Sequence, residues 1–277
     1  MHRVLDTLAE CKDILKKHDI KLYDSDAEFI LAHILDCSRG ELLTMDSISD
    51  EDYHLAIEDT YRRAKHEPLD SIIGYTDFYS LVIPFSKDVL TPRCETELLV
   101  DHVVRDIKAN YDAPQVLDLC SGSGCIGLAI AKSTSALVLL SDISGVALDI
   151  SMKNAKINNV DVQYVKSDLF SNIHGKYDIV VSNPPYIRTQ DLELLETEVS
   201  EFDPVLALDG KDDGYYFYRA IVQDLPKYLN PHGKVYFEVG YDQADEVARL
   251  LSENFENISV IKDYSGIDRI VTATLKD

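Results

Sequence analysis

A strand, a glycine-bearing turn and a helix in unbroken succession constrain this chain more than any other feature. Val116–Leu119 is apolar except for Asp118, residues 120–124 read Cys-Ser-Gly-Ser-Gly, and Ile126–Lys132 is helix-like. Gly122 and Gly124 permit positive φ and let a ligand approach the backbone closely, as a nucleotide-binding turn requires. Around this unit, helix-like stretches alternate with strand-like runs at 115–119, 137–141, 162–165, 177–182, 234–239 and 270–275. That alternation predicts an α/β domain built on a parallel, doubly wound sheet. Ligands of such sheets bind at the carboxyl ends of the strands.

The surroundings of the turn narrow the ligand. Asp142 ends the next strand about 20 residues on, where a carboxylate binds ribose hydroxyls. Taken as a two-glycine turn, the segment falls short of the Gly-x-Gly-x-x-Gly pattern of a pyrophosphate site. Asp118, just ahead of the loop, would disfavour a diphosphate and favour a cation. S-Adenosyl-L-methionine carries a sulfonium, an ammonium and no phosphate, and it fits that description. Asp118 has a second reading, as a carboxylate capping the following helix. Asp168–Phe170, after the third strand, is the expected place for adenine contacts.

The second chemical motif is Asn183-Pro184-Pro185-Tyr186, directly after the apolar run Tyr177–Ser182. Each proline pushes the residue before it toward an extended backbone and withholds an N–H, so the corner is stiff and rich in acceptors. The Asn183 side-chain oxygen and the Pro184 carbonyl can each accept a hydrogen from a planar NH2 group. Tyr186 offers a ring face against which a flat group can lie. Such a corner suits an amide or the exocyclic amine of a base; on its own it also reads as a proline-rich turn.

Residues 1–73 carry helix signals: an amphipathic opening to about Lys17, a capping box expected at Ser25–Glu28 ahead of Phe29–Leu35, and a third helix after Ser49. His33 is expected to be a partly buried packing residue. Residues 74–92 break into short aromatic and β-branched runs, which suggests a hairpin-like connector to a domain over 93–277. The acidic stretch Asp191–Asp213 has few strand signals and is expected to be a loop or lid over the strand ends. Asp and Glu number 49 against 27 Lys and Arg, a formal charge of -22. That field repels polyanions, so nucleic acid is not the expected partner and a basic protein is. The five cysteines form no ligand cluster, so no metal is expected. No signal-peptide or membrane-span pattern is present, and a soluble cytoplasmic protein is expected.

With these residues assembled, the chain resembles the HemK/PrmC family, the N5-glutamine methyltransferases of peptide chain release factors. The resemblance runs over nearly the whole length. It includes Leu90–Glu97, with its Pro-Arg-x-Glu-Thr-Glu run, Asp118–Gly124, Ser141–Ser144, Asn183–Ile187, Phe237–Gly240 and Gly266–Arg269. It implies a helical domain that docks the release factor and a Rossmann-like class I methyltransferase domain that binds S-adenosyl-L-methionine. It implies the glutamine of a Gly-Gly-Gln loop as acceptor; separately, a monomer is expected. Cys120, Ser121, Gly122, Ser123, Gly124, Asp142, Leu169 and Asn183 fall at cofactor positions, and Asn183 to Tyr186 at the glutamine site, with Asn183, Pro184 and Tyr186 carrying catalysis. The chain departs from the family pattern at Cys120, Lys211 and His232, where glycine is frequent, and at Cys94, where proline is usual. An N6-adenine DNA or RNA methyltransferase would present a similar amine to the same corner, and a non-catalytic S-adenosylmethionine-binding protein would keep the same loop.

Overall fold

A computed structural model describes all 277 residues, which divide into two compact units, Met1–Tyr75 with Glu196–Phe202, and Thr76–Leu195 with Asp203–Asp277. In chain order the first unit contains β1 (His2–Arg3), α1 (Val4–Lys17), α2 (Tyr23–Ile34), α3 (Arg39–Leu42), β2 (Ser47–Ile48), α4 (Asp50–Ala64) and α5 (Leu69–Ile73). The hairpin β3 (Tyr75–Phe78) and β4 (Leu81–Pro84) follows. Then come α6 (Cys94–Asn110), β5 (Gln115–Leu119), α7 (Cys125–Ser133), β6 (Leu137–Asp142), α8 (Gly145–Asn158), β7 (Gln163–Lys166) and β8 (Tyr177–Ser182). After a 3-10 turn at Thr189–Leu194, the chain completes α9 (Thr197–Ser200), α10 (Val205–Leu208), α11 (Tyr216–Tyr228), β9 (Leu229–Glu238), α12 (Ala244–Leu251), β10 (Phe255–Lys262) and β11 (Asp268–Leu275).

The strand-like runs of the second unit join one seven-stranded sheet in the order β10-β11-β9-β8-β5-β6-β7. Five neighbours from β9 to β7 are parallel, as the alternation of helix and strand requires. The expectation of a wholly parallel sheet is corrected at one edge: β11 runs antiparallel to both β9 and β10. A hairpin of two long strands needs no crossover helix, and β10 is absent from the sequence reading because its residues are mostly exposed and lack an apolar face. Residues of period two sort the core into two layers. Val116, Ile179 and Val181 face α6 and α7, whereas Leu117, Val180, Val235 and Phe237 face α11 and α12.

In the first unit, α1, α2 and α4 bury one apolar stripe each around Val4, Leu8, Leu15, Leu31 and Ala56. Ser49 caps α4 as its position suggests, its Oγ accepting from Asp52 N–H at 3.0 Å. The capping box expected at Ser25 is not there. Helix α2 has already begun at Tyr23, the Ser25 hydroxyl donates back to the Leu22 carbonyl at 3.0 Å, and the box is made by Ser38 and Glu41 instead. His33 is exposed, edge-on to Tyr75. No helix is long and apolar enough to cross a membrane.

One ion pair organises this unit. Asp26 (4% exposed) receives the Arg63 guanidinium (7% exposed) at 2.7 Å, and the same guanidinium reaches Glu198 at 2.8 Å. Burial raises the Asp26 carboxyl while Arg63 opposes that rise. The acidic stretch 191–213 is therefore not one loop, since its middle portion, Glu196–Phe202, is part of the helical unit through Arg63 and through Lys21–Glu196 at 2.8 Å. Changing Arg63 to Ala leaves a buried carboxylate unpaired, so we expect a loss of ~3–5 kcal/mol in chemical denaturation. Amide exchange should quicken across Glu196–Phe202. A loss below about 1 kcal/mol, with unchanged exchange there, would show that the pair is not structural.

Candidate active site

Parallel pairing places the two chemical motifs side by side. In β5 and β8, Leu119 stands opposite Ser182, and the Ser182 hydroxyl donates to the Leu119 carbonyl at 2.7 Å. The next residues along the two strands are Cys120 and Asn183, so the glycine-bearing loop and the proline corner leave the sheet as neighbours. On the other side of β5, Leu119 is level with Ser141, and Ser121 N–H donates to the Ser141 carbonyl at 3.0 Å. Asp142 thereby arrives beside the loop. From β5 the chain runs one way to β6 and β7 and later the other way to β8 and β9, so the site lies at the point where strand order reverses.

A cleft of about 1050 Å³, open mouth included, occupies this position. Cys120, Ser121, Gly122, Ser123, Asp142, Leu169, Asn183 and Pro185 all line it, as the sequence suggested. Asp142 is set by the backbone: Gly122 N–H reaches its Oδ2 at 2.8 Å and Ser144 N–H its Oδ1 at 2.8 Å. A carboxylate can accept further hydrogens beyond these two. Burial nonetheless pushes its pKa up, with the two backbone donors pulling it down. Three aspartates, Asp88, Asp142 and Asp168, line the cleft against one basic side chain, Arg93, which is paired with Asp203. That electrostatic balance suits a cationic ligand bearing hydroxyls and opposes a polyphosphate.

Four expected site residues, Asp118, Gly124, Pro184 and Tyr186, stand elsewhere. Asp118 does not face the cleft; it is fully buried, and its Oδ2 accepts from Gly127 N–H at 2.9 Å while Oδ1 has no partner. Its second reading, anchoring the start of α7, is the one the structure bears out. Gly124 turns the chain into α7 at φ +79° rather than lining the cleft. Gly127 supplies the third glycine of a complete Gly-x-Gly-x-x-Gly spacing, which corrects the two-glycine reading. A Cβ on Gly127 would come within 2.2 Å of Leu140 and 2.9 Å of Asp118, so only glycine lets α7 pack onto β5 and β6 this closely. What argues against a diphosphate is thus the acidic lining, not a missing glycine.

Pro184 is buried and Tyr186 half-buried, and neither lines the cleft; the Tyr186 ring packs against the α11 and α12 layer. Burial pushes the Tyr186 hydroxyl up to about 12, so it stays protonated. Its backbone is gripped from behind. Gln243 Nε2 donates to the carbonyls of Tyr186 at 3.1 Å and Gly214 at 3.2 Å, and its Oε1 accepts from Gly240 N–H at 3.0 Å. A Cβ on Gly214 would lie 2.5 Å from the Tyr186 carbonyl. The sequence reading did not find Gln243, since a lone glutamine after a strand carries no pattern.

Two further groups come from the start of α6. Thr96, nearly fully buried, lines the cleft, and Glu97 accepts from Tyr79 N–H. Together with Arg93 they give the Pro-Arg-x-Glu-Thr-Glu run its physical content, since Thr96 lines the cleft while Arg93 and Glu97 tie the start of α6 to Asp203 and to the hairpin at Tyr79. Cys120, Lys211 and His232 all adopt left-handed backbone, at φ +60°, +69° and +58°. This accounts for glycine being usual there and puts strain of ~1–2 kcal/mol at each.

Burial raises the Asp118 pKa to about 8, opposed by the Gly127 hydrogen bond. The folded protein then holds a proton that the unfolded chain releases near pH ~4. Its contribution to stability is full below that value and is lost as pH rises through about 8. Asp118→Asn, neutral at every pH, should therefore gain melting temperature over the parent as pH rises across that window, while cofactor affinity is retained. A gap independent of pH would mean that Asp118 is ionised in the fold.

Comparison with known proteins bears on this site. Residues 6–74 match a model described as the PrmC N-terminal domain, and residues 77–211 match one described as a methyltransferase small domain. A release factor glutamine methyltransferase of Fusobacterium nucleatum is 35% identical over 277 residues, covering 97% of this chain and 78% of its own. One from Thermodesulfovibrio yellowstonii is 35% identical over 270 residues, covering 95% of this chain and 96% of its own. Among solved structures, a Pyrococcus furiosus methyltransferase superposes with a TM-score of 0.52 at 16% identity over 71% of this chain and 89% of its own. The Thermus thermophilus 16S rRNA N2 G1207 methyltransferase, in complex with AdoMet and guanosine, gives 0.51 at 18% identity over 73% and 50%. At these identities the two structures share the fold.

Proposed function

The chain belongs to the release factor glutamine methyltransferases, and from that premise we propose that it methylates the side-chain amide nitrogen, N5, of the glutamine in the Gly-Gly-Gln motif of a peptide chain release factor, with S-adenosyl-L-methionine as methyl donor. The observation that carries this reading is the register that sets Asn183 beside the Cys120–Gly124 loop in one cleft. The acidic lining and the Asp142 carboxylate suit the donor's positive charges and ribose hydroxyls. When bound, the donor supplies a methyl group on a sulfonium, electrophilic enough for direct transfer.

The residues of this chain then work by positioning. A glutamine amide nitrogen is planar and its lone pair is delocalised into the carbonyl. The oxygen of Asn183, a residue of the cleft lining, would accept one of its hydrogens, turn the nitrogen toward the methyl and favour its pyramidal, cationic form as the new bond forms. No side chain has to remove a proton first. The extra proton leaves the nitrogen for water after transfer. Tyr186, with its ring in the core, would hold the corner's shape rather than stack on the substrate.

Residues 1–73 would dock the release factor, 74–92 would connect, and 93–277 would carry out the transfer, in a monomer acting in the cytoplasm. A factor that works beside ribosomal RNA is expected to carry basic surface, which a chain of formal charge -22 attracts. Incubation with the methyl donor and a release factor should add one methyl group, found by mass spectrometry on the Gly-Gly-Gln glutamine and absent when that glutamine is alanine. Asn183→Ala should stay folded and lose turnover by ~10²-fold or more, by analogy with the deletion of an oxyanion-hole donor. Methyl incorporation into DNA or RNA and none into the release factor would overturn the reading.

A further inference from the structure

Glu238 is the last residue of β9, 3% exposed, and its Oε2 has no hydrogen-bond partner. A carboxylate buried at a strand end is costly, and a glutamine would fill the same space without the charge. Its position is tied to the proline corner by register. Ser182 of β8 stands opposite Phe237 of β9 in parallel pairing, so the next residues, Asn183 and Glu238, end their strands side by side. The side chains of Asn183 and of Thr96 from α6 lie close enough to Glu238 to stabilise its ionised form. On the far side, Glu238 is level with Ile270 of β11, and Tyr218 Oη donates to the Glu238 main-chain carbonyl at 2.8 Å. The main chain of Glu238 is thus held at the end of β9, beside Asn183, which lines the cleft.

An ionised carboxylate can only accept hydrogen bonds. The amide of Asn183 can meet it in one way, with its NH2 toward Glu238, which leaves its oxygen for the cleft. The opposite orientation would set amide oxygen against carboxylate and offer NH2 to a substrate NH2, two donors facing each other. Resting on the reading that Asn183 receives an amide or amine, we infer that Glu238 is a positioning residue that fixes the amide orientation of Asn183, so that its oxygen faces the group to be methylated.

The role is open to titration. Burial lifts the Glu238 pKa to about 7, opposed by Thr96, Arg269 and Asn183 and assisted by Glu95. The other ionisable groups facing it are Cys125 of α7, Tyr186 of the corner, beside which Arg93 lies, and Tyr218 of α11. Burial keeps Cys125, Tyr186 and Tyr218 protonated, with values raised above their ordinary ranges. Arg93 is paired with Asp203. Glu238 is therefore the group of this cluster that changes charge near neutral pH. Once protonated it can donate as well as accept, and the constraint on Asn183 is lost. Turnover should rise with pH as Glu238 ionises.

The test measures kcat and KM on the full chain with S-adenosyl-L-methionine and a release factor, from about pH 5.5 to about pH 8.5, for the parent, Glu238→Gln and Thr96→Val. The parent is expected to show a rising limb in kcat near pH 7. Glu238→Gln, near-isosteric and able to accept or donate, should lose that limb and on the order of 10-fold in kcat at the plateau, with calorimetric affinity for the methyl donor and melting temperature preserved. Thr96→Val, which removes one donor from the carboxylate, should move the limb to higher pH. A Glu238→Gln variant that keeps the parent's kcat and limb overturns the positioning role while leaving the glutamine reading intact. So does one whose loss lies wholly in KM for the donor or in stability. A parent that methylates nucleic acid and no release factor removes the glutamine reading, and this role toward a glutamine amide goes with it.

Discussion

The parallel pairing of β5 with β8 is the constraint on which the site depends. It brings Leu119 and Ser182 level, and everything chemical follows within a few residues of that pair. Shifting a parallel pair by one residue would turn alternate side chains to the wrong layer, exchanging Val116 with Leu117 and Val180 with Val181. The two apolar layers therefore lock the register, and the register sets the distance between loop and corner. Gly127 adds a second condition, because the approach of α7 to β5 and β6 leaves no room for a side chain there.

Two buried carboxylates show how similar burial serves different ends. Asp118 and Glu238 are both nearly inaccessible, both raised in pKa by desolvation, and each leaves one oxygen unpartnered. Asp118 spends its other oxygen on the backbone of α7, so it fastens a helix to a strand. Glu238 lies beside the side chains of Thr96 and Asn183, and in the proposed role it passes its preference for donors on to a residue lining the cleft. The difference lies in what each carboxylate touches, since the cost of burying it is the same in kind.

The stretch Glu196–Phe202 adds a further economy. It lies between the proline corner and Pro204, Leu206 and Ala207, which line the cleft, yet it is held within the helical unit by Arg63 and Lys21. Its acidic residues, Glu196 and Glu198, are thus not simply a solvated run. They are partners to specific cations, one of which is buried. Charge alone could not separate these readings, because an acidic stretch looks the same whether it faces water or an arginine from another part of the chain.

Local pattern determined a good deal. Alternating runs, short-range caps such as Ser49 and the glycine spacing are set by neighbours in sequence, so the strands β5 to β9, the hairpin after residue 74, the loop from Cys120, Asp142 and Asn183 were all legible. At Cys120, Lys211 and His232 the sequence showed departures from a family glycine, and the structure gives the reason as left-handed backbone, a requirement that belongs to a single residue's φ. Only the tertiary structure decided the rest. It reversed β11, turned Asp118 inward and Tyr186 into the core, gave Arg63 to Asp26 and Glu198, and put Gln243 behind the corner and Glu238 beside Asn183. Each of these is a pairing between residues far apart in the chain, and the free energy of burying a polar group depends on which partner the fold delivers, a quantity that no local window of sequence contains.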